Sequence, residues 1–204
     1  MYDTSFIDEL ASAAPAPGGG GASAYAGALA AALASMVGNL TVGKKTYADV
    51  EDEVRASLDR LDALRAHLIA LVDEDARAFE PLAAAYRLPK ATSEEQAAKN
   101  AALQQALVGA SDVPLAIMRA VAEVLDEADY LARHGSKKAR SDAGVAAAFV
   151  RAASDGASLN VYINVASMDD ADRAARYRAE AELLAARTRE RCDELFDYVK
   201  AAVS

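Results

Sequence analysis

The chain has 204 residues, with 22 Lys and Arg against 31 Asp and Glu, and its net charge of −9 argues against sequence-independent nucleic-acid binding, which needs a basic surface. Hydrophobic residues make up 53% but aromatics only 6%, because alanine fills much of the apolar share; so much of the best helix former, with so few strand formers, predicts an all-α protein folded as one domain over residues 1–204. One cysteine, Cys192, excludes an internal disulfide and points to a reducing, cytoplasmic setting, and the acidic start MYDTSFIDEL does not read as a secretory signal.

A short amphipathic helix is predicted from Thr4 or Ser5, with Phe6, Ile7 and Leu10 on one side. Pro15, Pro17 and the four glycines Gly18–Gly21 end it as a loop. A second helix runs from about Ala22 to Leu40, with Ser23, Gly27, Ala31 and Ser35 forming a ridge of small side chains at intervals of four. Leu29, Leu33, Met36 and Leu40 make its larger-residue face. Its length invites a membrane reading, but Ala, Gly and Ser dominate it and Asn39 closes it, so it reads as a buried bundle helix. A turn over Gly43–Thr46 leads to a third helix, unbroken to about Tyr86 and on the order of 55 to 60 Å long. Leu88–Pro89 stops it.

Thr92 to Glu95 reads as a capping box opening a fourth helix that ends near Gly109. Ser111 or Asp112 then caps a fifth, with Pro114 in its first turn and Gly135 past its end. After the loop GSKKAR, Ser141 opens a sixth helix to about Met168, and Asp169 and Asp170 start the last. Short connections between long helices imply an antiparallel bundle.

Helical arithmetic on the third helix supplies the sharpest chemical signal. Leu61, Leu64, Leu68, Leu71, Val72, Phe79, Leu82 and Tyr86 define an apolar stripe, and at about 100° per residue Asp75 falls near its middle. A carboxylate facing a core costs several kcal/mol unless it is paired or hydrogen-bonded. Periodicity leaves two readings open, a structural bond to a neighbouring helix or an active-site group.

GNLTVGKK, from Gly38 to Lys45, nearly matches a phosphate-binding loop but fails twice: Lys45 stands where magnesium needs Ser or Thr, and a helix precedes it where a strand is required. Lys44 and Lys45 are then either a solvated helix-end pair or an anchor for carboxylate or phosphate. Asn160 and Asn164 share a face of the sixth helix, suited to interhelical hydrogen bonds or to ligand readout. Ser141 and Asp142 read first as an N-cap, and Lys90 as a loop cation. His67 and His134 lack partners for a metal or a catalytic triad, and no metal centre is expected.

These residues, taken together, strongly resemble the cyclodeaminase/cyclohydrolase family of folate enzymes. The landmarks are PAPGGG from Pro15, AGALAAALASMV from Ala26, NLTVGKKTY from Asn39, VDEDARAF from Val72, RLPK from Arg87, VPL from Val113, SDAGVA from Ser141 and NVYIN from Asn160. They occur in family order and span nearly the whole chain. The resemblance implies an all-helical homodimer binding a tetrahydrofolate derivative among its helices, with no metal or redox cofactor. It implies hydrolysis of 5,10-methenyltetrahydrofolate to 10-formyltetrahydrofolate, with formimidoyltetrahydrofolate cyclodeamination as the alternative and a silent folate-binding or scaffold protein as a third reading. The family's acidic motif falls on VDEDARAF, and the helical argument selects Asp75 within it as the catalytic residue. Lys44, Lys45 and Lys90 would hold the glutamate carboxylates, Asn160 and Asn164 the pterin edge, and Gly18, Gly19, Gly20 and Asp142 would complete the substrate site. One departure stands out: Gly21 occupies the position where the family's loop usually carries serine.

Overall fold

The structure, a computed structural model, describes residues 3–204. It holds six α-helices in an antiparallel bundle, with no strand among the described residues. They are α1 (Ser5–Leu10), α2 (Gly19–Asn39), α3 (Glu51–Arg87), α4 (Ser93–His134), α5 (Arg140–Val165) and α6 (Ala171–Val203). Two short 3-10 segments, Lys45–Val50 and Lys137–Ala139, lead into α3 and α5.

The small-residue ridge of α2 does what its spacing promises. Ser23, Gly27, Ala31 and Ser35 are all buried, and a Cβ on Gly27 would lie 2.6 Å from Val121 and 3.1 Å from Leu68. That close fit seats α2 against α3, α4 and α5 and builds the main core around Leu61, Leu68, Ile117, Met118, Leu125 and Val161. Most of the larger-residue face looks the other way: Leu29, Met36 and Leu40 remain exposed together with Tyr25, while Leu33 is half-buried against the core. By length and composition α2 would cross a membrane, yet 61% of its apolar window is buried inside the bundle.

Several helix ends follow their chemistry. Thr92 Oγ1 accepts the Glu95 N–H while the Glu95 carboxylate accepts the Thr92 N–H, a complete capping box. Gly135 ends α4, and Asp170 caps α6 by accepting the Arg173 N–H.

Three expectations need correction. The four glycines do not form a loop: only Gly18 lies outside the helix, and α2 begins at Gly19. The break expected between Gly109 and Asp112 is absent, and α4 runs 42 residues, about 63 Å, with Pro114 in its interior. Ser111 does not cap; its hydroxyl donates to the Leu107 carbonyl one turn back, while burial against the core holds the helix together. Finally, α5 starts at Arg140 with Ala139 as its N-cap residue and no side-chain bond there, so Ser141 is not a cap, and the helix ends at Val165 rather than Met168.

The α3–α4 hairpin outreaches α2. Beyond the level of Gly20, the last three turns of α3 pack on the start of α4 through a small second core of Leu82, Ala106 and Leu107. A cleft opens there, where α2 stops and the hairpin continues.

Candidate active site

The cleft has a volume of about 350 Å³. Pro15, Ala16, Gly18 and Gly19 form one lip, α3 contributes Asp75, Phe79, Leu82 and Tyr86, and α5 closes the far side with Asn160, Ile163 and Asn164. Ala110 of α4 forms part of the wall. The α3 contributors sit at intervals of four, three and four, one continuous helical face.

Asp75 reaches from α3 to the first turn of α2. Its Oδ2 accepts the Gly21 N–H at 2.9 Å, one of the donors a helix leaves without an internal partner. Gly18, the N-cap residue, has no side chain to do this, so a carboxylate from another helix caps α2. Such an approach requires Gly20 to lack a side chain, because a Cβ there would fall 2.1 Å from Asp75 Oδ1 and 2.5 Å from its Cγ. The glycine run is therefore a landing place for a carboxylate. Burial pushes the Asp75 carboxyl above its ordinary value, partly opposed by the Gly21 hydrogen bond. With Oδ2 engaged, Oδ1 is left to act on whatever occupies the cleft.

The two asparagines are also held from behind. Asn160 Nδ2 donates to the Gly156 carbonyl at 3.0 Å, and Asn164 Nδ2 donates to the Ala110 carbonyl at 2.7 Å. Asn160 faces Gly19 across the cleft mouth, 3.6 Å from where a Cβ would stand.

Of the site residues expected from the sequence, Asp75, Gly18, Gly19, Asn160 and Asn164 line one cleft, and Gly20 packs directly behind Asp75. Lys44, Lys45 and Asp142 stand elsewhere in the fold. The lysines follow the C-terminus of α2, about 31 Å of helix from Gly19. Asp142 lies in the first turn of α5, 18 residues or about 27 Å of helix before Asn160. There the two basic segments meet, the Lys137 N–H donating to the Tyr47 hydroxyl and the Ser136 N–H to Thr41 Oγ1. Lys90 is exposed in the α3–α4 connection, four residues past Tyr86.

Pro15, Phe79, Tyr86, Ala110 and Ile163 join the site without having been singled out for it by sequence reasoning. Tyr86 and Phe79 had a signal, since they share the Asp75 face. Ile163, 70% exposed beside the cleft, also had one in its place next to Asn164. Of the residues set aside, Cys192 is buried with its thiol pushed up to about 12, chiefly by burial, and His134 stacks on Tyr130 at 4.7 Å. No group of three or more potential metal ligands occurs among the described residues.

A family model described as formiminotransferase-cyclodeaminase matches residues 3–183. The chain is 44% identical over 200 residues to methenyltetrahydrofolate cyclohydrolase of Methylorubrum extorquens, covering 98% of this chain and 96% of that protein. It is 40% identical over 186 residues to formimidoyltransferase-cyclodeaminase of Sus scrofa, covering 90% of this chain but only 34% of that longer protein. The crystal structure of formiminotetrahydrofolate cyclodeaminase from Thermotoga maritima superposes with a TM-score of 0.81 at 30% identity, covering 99% of this chain and 95% of that one.

Proposed function

Because this chain belongs to the formiminotransferase-cyclodeaminase family, we propose that it hydrolyses 5,10-methenyltetrahydrofolate to 10-formyltetrahydrofolate. The carrying observation is Asp75, a carboxylate fixed by a backbone N–H on the floor of a cleft, with its second oxygen available. Near-equal length and 44% identity to a named cyclohydrolase support the choice of reaction.

The substrate's one-carbon bridge is an amidinium, cationic over N5, the bridging carbon and N10. Asp75 offers that cation a negative charge and takes a proton from the attacking water, so the new C–O bond forms as the water O–H breaks. The tetrahedral adduct then opens at the C–N5 bond: its hydroxyl gives up its proton as the formyl C=O forms, N5 takes the proton held by Asp75, and the formyl group stays on N10. Overall, cation and water become 10-formyltetrahydrofolate and one proton. No electrons are transferred, and the scheme uses neither metal nor redox cofactor. The raised basicity of Asp75 moves it toward the working pH, where a general base is most effective.

Phe79, Leu82 and Ile163 give the ring system apolar walls. An adjoining groove of about 510 Å³ between α3 and α4, lined by alanines with Pro81 and Leu88 and sharing Ala78 with the cleft, suits the benzoyl portion. Lys90, past the end of α3, lies toward the same tip and serves the glutamate tail.

The protein acts as a homodimer through the exposed face of α2. That helix has no charged residue, and Tyr25, Leu29, Met36 and Leu40 leave an apolar stripe uncovered, flanked by Ile69 of α3. A two-fold axis at the middle of the stripe sets Tyr25 opposite Leu40 and Leu29 opposite Met36. The same operation carries Lys44 and Lys45 of the second copy toward Gly20 and Gly21, in the first turn of α2 beside the lip of the cleft. The cationic end of one protomer then meets the acidic cleft of the other, which its own lysines are about 31 Å from reaching. The lone buried thiol of Cys192 fits a reducing compartment such as the cytoplasm.

Cyclodeamination of formimidoyltetrahydrofolate is the second reading, favoured by the fold match to a cyclodeaminase of nearly the same length. It passes through a similar tetrahedral carbon and expels ammonia. Incubation of the purified protein with methenyltetrahydrofolate, following loss of the methenyl absorbance, tests the first. Appearance of that absorbance with ammonia from 5-formimidoyltetrahydrofolate tests the second. Enzyme-independent rates in both assays would reject both readings.

A further inference from the structure

Pro114 sits inside α4 and has no N–H, so the carbonyl one turn earlier, on Ala110, cannot receive its i→i−4 hydrogen bond. That carbonyl borders the cleft, and the donor that reaches it is Asn164 Nδ2 of α5, at 2.7 Å. The pairing also fixes which way the Asn164 amide is turned, because only its nitrogen can face a carbonyl oxygen. Its Oδ1 is left as an acceptor, and no donor within the protein engages it among the described residues. Asn160 repeats the arrangement one turn earlier, its nitrogen on the Gly156 carbonyl. With the Asp75 carboxylate, the cleft's three fixed polar side chains therefore present acceptor oxygens, and no lysine or arginine lines it among the described residues.

We infer that Asn164 is a specificity-determining residue whose amide, tethered by the carbonyl that Pro114 leaves open, presents Oδ1 to an N–H donor of the substrate's ring. Resting on the folate reading above, this assigns the asparagine wall to the donor edge of the aminopyrimidinone ring, where the ring N–H and the exocyclic amino group lie side by side. A ring that offered acceptors there would meet an oxygen it cannot satisfy, which is the strongest form of discrimination by hydrogen bonding. The tether matters because an acceptor held in place before binding costs no side-chain ordering when the ligand arrives.

Alanine variants separate this role from simple repair of the helix. Asn164→Ala leaves the Ala110 carbonyl without a partner, so both Tm and kcat/KM for methenyltetrahydrofolate are expected to fall, the latter about tenfold or more. Pro114→Ala returns an N–H to α4. The double variant Pro114→Ala/Asn164→Ala is therefore expected to recover Tm relative to Asn164→Ala, yet to stay about tenfold below Pro114→Ala in kcat/KM. If the double variant instead matches Pro114→Ala in kcat/KM within threefold, Asn164 only fills a carbonyl and the assignment is wrong. If Pro114→Ala does not raise the Tm of Asn164→Ala, the tether is wrong. Should Asn164→Ala not fold, comparison of the double variant with Pro114→Ala alone decides the recognition role. Absence of turnover by the unmodified protein sinks the folate reading and this assignment with it. A turnover-competent protein that fails the comparison sinks this assignment alone.

Discussion

Replacing Gly20 by alanine tests the proposed catalytic geometry without touching the Asp75 carboxylate itself. The new Cβ would stand 2.1 Å from Asp75 Oδ1, 2.5 Å from Cγ and 2.6 Å from Oδ2. Ordinary contact begins near 3.4 Å, so Oδ1 must withdraw by about 1.3 Å. The carboxylate thereby leaves the Gly21 N–H and the place proposed for it beside the reacting carbon. A displacement of about 1 Å costs on the order of 100-fold in rate, or roughly 2.7 kcal/mol of transition-state stabilisation. Stability should change far less. Losing the cap costs about 0.5–2 kcal/mol, while alanine in place of glycine within a helix returns up to about 1 kcal/mol. The net effect is a Tm shift of a few degrees, readable by calorimetry beside the absorbance assay. Gly21→Ala is the matched control: its Cβ meets only ordinary contacts at 3.6–3.7 Å and the N–H is retained, so at least half of kcat/KM should survive. A folded Gly20→Ala protein with kcat/KM within threefold of the parent would refute the claim that the position of Asp75 governs the reaction.

Asp75→Asn should lower kcat by about 100-fold or more while keeping the Gly21 bond through its amide oxygen. Because burial raises the folded-state pKa of Asp75, its stabilising contribution is complete below the unfolded value and is lost as pH rises through the folded one. The asparagine variant should therefore match or exceed the parent's Tm at pH 7 and lose that advantage toward pH 4, and a variant uniformly less stable would contradict the desolvated carboxyl. The acid limb of kcat/KM should titrate above the ordinary aspartate value of 3.8, and a limb below it would remove Asp75 as the base. Met36→Glu, on the exposed face of α2, should yield a folded monomer in sedimentation equilibrium with most activity lost; a fully active dimer would place the interface elsewhere. Lys44→Ala/Lys45→Ala should raise KM several-fold with kcat within about twofold, as expected for a uniform binding contact, and the opposite pattern would deny them the substrate tail.

Much of this architecture is legible in the residues because its signals are local. The Thr92–Glu95 box, Gly135 and Asp170 mark helix ends through side chains and chain geometry within a turn. Angular position alone brings Asp75 to the core face of α3. Its partner is invisible in the sequence for a physical reason: a backbone N–H of Gly21 leaves no side-chain signature, and glycines usually argue against helix. The continuity of α4 is hidden similarly, since the donor that completes the Ala110 carbonyl comes from Asn164, 54 residues away. Lys44 and Lys45 look close to the glycine motif along the chain because sequence distance says nothing of direction, and a helix of 21 residues carries them away from it.

The charge-free α2 also has a consequence for how the chain is made. Its covering helices α4 and α5 lie later in the sequence, ending at His134 and Val165. At roughly 5–20 residues per second, a span of 126 residues keeps α2 waiting about 6–25 s after Asn39 is synthesised before α5 is complete. Until α4 is made, α2, whose most apolar 18 residues have a mean hydropathy of 1.3, has only α3 to shield it, and until α5 is made its cover stays incomplete. On the ribosome it would compete for the factors that receive greasy nascent segments. Substitutions that slow the docking of α4 or α5 should therefore lower the yield of soluble protein before they lower the activity of the molecules that fold.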